Sequence, residues 1–97
     1  MKITVTDKAE NWFKNELGVE AGGYVHFFGK YGGATNVHVG FSTGMRVEEP
    51  TDPIVTMEQN GITYYIDSTD EWFFSTYDLA VDFDEKKDEP VYTYSEN

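Results

Sequence analysis

The chain opens on an alternation of polar and apolar positions. In residues 2–6, Ile3 and Val5 share one face, the period-two signature of a strand. Asp7 then reads as a helix N-cap, with Glu10 three residues later as the reciprocal partner of a capping box. Ala9, Trp12, Phe13, Glu16 and Leu17 recur at helical spacing, and Gly18 offers a left-handed stop. The pattern predicts an amphipathic helix over residues 8–17, with that stripe facing the core.

From residue 24 onward the pattern turns to strands. Tyr24-Val25-His26-Phe27-Phe28 and Val37-His38-Val39-Gly40-Phe41 are rich in strand formers, and Gly32-Gly33 between them predicts the bend of a hairpin. Residues 42–53, with two prolines, Gly44 and an acidic pair, read as a loop. Residues 54–58 and 62–66 flank Asn60-Gly61, whose residue types suit the positive φ angles of a type I′ turn. Ser68 and Glu71 form a second S-x-x-E signature, predicting a short helix over 69–76 that turns Trp72, Phe73 and Phe74 to the core. Residues 79–83 and 91–94 read as the last strands, joined by the charged turn Asp84–Glu89. The expectation is a mainly β fold with about seven strands and two short helices (α+β), neighbours pairing antiparallel as a folded meander.

Composition narrows what such a fold can do. At 97 residues the chain fits one domain, 1–97. Seven tyrosines, seven phenylalanines and two tryptophans supply large rings for a small core. There is no cysteine, which excludes disulfides, thiolate metal sites and cysteine nucleophiles from this chain. No apolar run reaches bilayer length and Met1–Thr6 lacks a signal-peptide core, so the expected location is the cytoplasm. Net charge is −11 and lopsided: residues 1–47 carry five bases and four acids, residues 48–97 two bases and fourteen acids. Such a field disfavours nucleic acid. It fits either a solvating surface or a docking face for a basic protein partner.

Candidate chemistry is sparse. With a bend near Gly32, His26 and His38 would lie across from one another, two imidazoles that nearby carboxylates would complete into a metal site. The alternative is a pair of ordinary strand histidines. Acid pairs such as Asp82 with Asp84 share a strand face and read as solvated. No serine sits in a nucleophile-elbow context and no nucleophile–base arrangement stands out, so no enzymatic activity is expected; carboxylate-pair catalysis is the weakest alternative.

The order of these pieces resembles the HesB-like family, the A-type carriers and scaffolds of iron–sulfur cluster assembly. The likeness is carried by Met1–Ala9, by Gly22–Phe28 with Tyr31-Gly32-Gly33-Ala34-Thr35, and by Asn60–Asp67. The family places a cysteine after its glycine-rich turn and a Cys-Gly-Cys pair near the C-terminus. Here the first position holds Ala34, and Val91–Asn97 offers no thiolate. The resemblance implies a HesB-like fold related to cluster biosynthesis proteins that holds no cluster and no other cofactor. It would act by binding a protein through the degenerate ligand region Tyr31, Gly32, Gly33, Ala34 and Thr35. A second reading is an iron-binding protein using His26, His38 and carboxylates.

Overall fold

The computed structural model describes residues 1–34 and 39–96. Among them are seven strands and two α-helices: β1 (Ile3–Val5), α1 (Asp7–Leu17), β2 (Tyr24–Ala34), β3 (Val39–Arg46), β4 (Pro53–Gln59), β5 (Ile62–Asp67), α2 (Glu71–Phe74), β6 (Tyr77–Asp84) and β7 (Glu89–Glu96). A single 3-10 turn, Ser68–Asp70, leads into α2. The strands form two sheets, ordered β1-β6-β7 and β3-β2-β5-β4.

Three neighbouring pairs, β2–β3, β4–β5 and β6–β7, are antiparallel, as local patterning predicts. Two further pairings are parallel. β1 lies beside β6, with Ile3 opposite Leu79, and β2 lies beside β5, with Tyr24 opposite Thr63. The sheets are therefore mixed rather than a pure antiparallel meander. Parallel neighbours need a crossover connection, and here whole intervening elements supply it. β3 also continues to Arg46, so the loop read over 42–53 shrinks to residues 47–52.

The inward faces of both sheets share one core. Ile3, Val5, Leu79 and Val81 come from one sheet, and Val25, Phe27, Ile62, Tyr64 and Ile66 from the other. Ala9 and Phe13 of α1, with Phe73 and Phe74 of α2, fill it further. The Phe13 ring centroid lies 6.1 Å from that of Phe27 and 6.0 Å from that of Tyr64. The Asn60-Gly61 turn forms as the sequence predicts, with φ of 52° and 83°.

The helix start is shifted by one residue. Thr6, in extended backbone, is the N-cap of α1, and its hydroxyl accepts the Ala9 N–H at 3.2 Å. The same hydroxyl donates to Asp82 Oδ1 at 2.9 Å, pinning the helix start to β6. Thr6→Ala is expected to cost about 1 kcal/mol of stability, read as a lower urea midpoint at unchanged slope. With Asp7 inside the first turn, Glu10 rotates away from the cap and into the interior, where it is 2% exposed. Glu16 and Leu17, expected on the inner stripe, are exposed. Nor is Ser68 a helix cap. Its hydroxyl donates to Asp52 Oδ2 at 2.8 Å, which ties the 47–52 segment to the 3-10 turn.

Candidate functional site

The β2–β3 hairpin has two different faces. Register sets Phe27 opposite Met45, Gly29 opposite Thr43 and Tyr31 opposite Phe41. Along β2 the residues Val25, Phe27, Gly29 and Tyr31 share one face by the period of two. The first two are core residues, whereas Tyr31 is 87% exposed. The hairpin thus carries the line of its core face out beyond the body of the protein.

β5 accompanies β2 only from Tyr24 to His26. Beyond that point the 3-10 turn and α2 take its place. Asp70 Oδ1 accepts the Gly29 N–H at 3.2 Å. The Phe73 ring sits so close over Gly29 that a Cβ there would lie 2.9 Å from its Cγ. Glycine is required at this position for close approach rather than for backbone freedom. Phe73 and Phe74 are buried, which turns Trp72 outward on so short a helix. Its ring meets Phe41 edge-on at 5.2 Å, and Phe41 meets Tyr31 at 5.1 Å. Tyr31, Phe41 and Trp72 form an aromatic strip with its two ends well exposed: Trp72 is 53% exposed.

The sequence-predicted region overlaps this strip in part. Gly32 does not make the bend of the hairpin. β2 runs through Gly32 to Ala34, which pairs with Val39, and the register shifts between Tyr31 and Ala34. Gly32, at φ 102°, supplies the left-handed residue of that irregularity. Gly33 continues the β2 backbone, while Thr35 and His38 lie outside the described residues. In the described register Arg46 is the residue across from His26. Among the described residues no cluster of three or more His, Asp or Glu side chains is placed to hold a metal ion.

The opposite face of the hairpin carries His26, Phe28 and Arg46. The Arg46 guanidinium lies 4.3 Å from the Phe28 ring centroid, a cation–π contact. His26 is buried and stacks on Tyr65 at 4.8 Å with rings 7° from parallel. The 47–52 segment crosses this face as a strap. Tyr65 Oη donates to the Glu48 carbonyl at 2.7 Å, and His26 Nδ1 meets Glu48 Oε2 at 2.6 Å. At the other end, Asp67 accepts the Thr51 and Asp52 N–H groups at 3.4 and 3.2 Å. Burial, with Asp67, Glu48 and Glu49 nearby and Arg46 opposing, pushes the Tyr65 hydroxyl up to about 12, so it serves as a neutral donor.

Sequence reading missed two features. Trp72 was expected in the core, but three successive rings on a four-residue helix overfill one face, and that excess is the legible signal. The carboxylate partners of His26 come from residues 22 and 44 positions away, a relation no local pattern carries.

These elements define a HesB-like fold. Escherichia coli SufA, described as involved in biosynthesis of iron–sulfur clusters, superposes with a TM-score of 0.64 over 99% of this chain and 86% of that one, at 16% identity. That likeness is one of fold alone. No family model matches the chain. Sequence relatives place it more closely. The Bacillus subtilis pyruvate dehydrogenase inhibitor is 45% identical over 94 residues, 97% of this chain and 99% of that protein. An uncharacterised Staphylococcus epidermidis protein is 37% identical over 95% of this chain and 97% of its own length. The chain belongs to the family of the Bacillus subtilis pyruvate dehydrogenase inhibitor.

The donor set does not fit an iron–sulfur cluster. The chain has no cysteine, and so no thiolate to offer. Neither the named relative nor the fold points to catalysis. No helix among the described residues is long and apolar enough to cross a membrane.

Proposed function

We propose that this protein is a partner-binding regulator that inhibits pyruvate dehydrogenase, working as one HesB-like domain that ligates no cluster. The observation that carries this reading is the 45% identity, along nearly the whole of both chains, with a protein named for that inhibition. The strip of Tyr31, Phe41 and Trp72 is the docking surface. Exposed aromatic anchors that continue a rigid core offer large contact area at little entropic cost. The acidic residues beyond position 47 steer the molecule toward a basic face of the target, in the cytoplasm, and association slows as salt rises.

Sedimentation of the purified protein with purified Bacillus subtilis pyruvate dehydrogenase tests the reading. Co-sedimentation that saturates at a fixed stoichiometry is expected. Free migration of both at micromolar concentration would count against it. In parallel, anaerobic incubation with ferrous iron and sulfide is expected to leave the protein colourless. A stoichiometric visible chromophore would overturn the statement that it ligates no cluster.

A further inference from the structure

His26 is 7% exposed, yet each of its ring nitrogens faces a carboxylate. Nδ1 lies 2.6 Å from Glu48 Oε2, and Nε2 lies 3.5 Å from Asp70 Oδ2. The second contact is too long for a hydrogen bond, and Nε2 is a buried nitrogen with no hydrogen-bond partner. The ring is fixed in place, stacked on Tyr65 and with the Phe28 centroid 5.6 Å away. A ring with one proton has one N–H to give. Given to Glu48, it leaves the Nε2 lone pair facing carboxylate oxygen; a ring with two protons presents an N–H to each.

The charged and titratable groups around the ring come from four elements. Glu48 belongs to the strap and Asp70 to the 3-10 turn. Arg46 of β3 pairs with His26 in register and brings Nη1 to 4.0 Å from Glu48 Oε1. Tyr65 of β5 is a neutral donor, with Asp67, Glu48 and Glu49 as the carboxylates acting on it. The two carboxylates at the ring nitrogens also have separate structural attachments. Glu48 lies in the strap; Asp70 holds the Gly29 N–H and stands two residues before Trp72.

We propose that Glu48, His26 and Asp70 form a proton-operated latch, in which a second proton on the His26 ring adds to the Ser68–Asp52 contact a second tie between the 47–52 strap and the turn that presents Trp72. Its consequence for partner binding rests on the docking role of the aromatic strip; the latch itself does not. With both protons in place the strap is held shut and the turn is drawn onto β2. With one, the Asp70 side of the connection is repulsive and the turn is freer.

The test is made on the free protein at about pH 6, where imidazole protonation is accessible. Ring-nitrogen NMR of histidine-labelled protein is expected to show both His26 nitrogens protonated. Backbone amides of the strap are expected to exchange about tenfold faster in Glu48→Gln. Asp70→Asn decides the sign. If the ring holds two protons, this variant removes a charged acceptor, speeds strap exchange and changes Trp72 emission. If the ring holds one, the introduced amide donates to Nε2 and slows exchange. A singly protonated ring, slower exchange in Asp70→Asn, or no change in either variant would each overturn the latch. Failure to co-sediment with pyruvate dehydrogenase would instead overturn the docking reading and leave these measurements standing.

Discussion

Glu10→Ala is expected to lower folding stability by about 2–4 kcal/mol, a large share of the roughly 5–15 kcal/mol available to a domain of this size. The Glu10 carboxylate is almost wholly buried and joins α1 to the β4–β5 hairpin. Oε1 accepts from Tyr64 Oη at 2.8 Å and from Gln59 Nε2 at 3.2 Å. Oε2 accepts from Asn60 Nδ2 at 2.5 Å, with Lys14 Nζ 3.7 Å away. Truncation would strand the Tyr64 hydroxyl in a dry interior, where an unmet donor is costly. Burial alone would raise the Glu10 carboxyl, but the donors Asn60, Tyr64 and Gln59 and the Lys14 charge outweigh it and hold the group below its usual 4.5. Burial foremost, then the hydrogen bond to Glu10 and its charge, push the Tyr64 hydroxyl far upward.

A sign follows for acid. A carboxyl lower in the folded state contributes stability that is complete above about 4.5 and lost as pH falls through its folded value. Urea midpoints of the wild type should therefore fall with pH below about 4.5, and Glu10→Gln should flatten that slope. An undiminished slope in the variant would show that other carboxylates govern acid unfolding.

Tyr31→Ala and Trp72→Ala are expected each to weaken binding to pyruvate dehydrogenase by about 30-fold or more, the effect of losing an aromatic anchor worth at least about 2 kcal/mol. Tyr31 is so exposed that its removal should leave stability within about 0.5 kcal/mol. Trp72 packs on Phe41 and Phe73, and its removal should cost about 1 kcal/mol. Circular dichroism and isothermal titration separate the two effects. Folded variants that bind like the wild type would move the docking surface elsewhere.

Much of this fold is written locally. The Asn60-Gly61 turn and the left-handed Gly18 each follow from residue type alone. The parallel pairings do not, because alternation along a strand is the same whichever way its neighbour runs. Gly32-Gly33 misleads because a glycine pair suits a bulge as well as a bend, and only the pairing of Ala34 with Val39 separates them. Glu10 misleads for a related reason: spacing from Asp7 matches a capping box, but Thr6 takes the cap and frees Glu10 for the interior. The site was half legible. Tyr31 lay within the region singled out by its likeness to the HesB-like ligand turn, whereas Phe41 and Trp72 join it only through the packing of α2 on β2.

The decisive property is inhibition without metal. Pyruvate dehydrogenase turnover should be titrated with this protein after exhaustive chelation and removal of the chelator. The expected result is a saturable fall in turnover, unchanged by prior chelation and relieved by Tyr31→Ala with Trp72→Ala. Undiminished turnover at saturating protein, or inhibition that appears only when iron is restored, would contradict it.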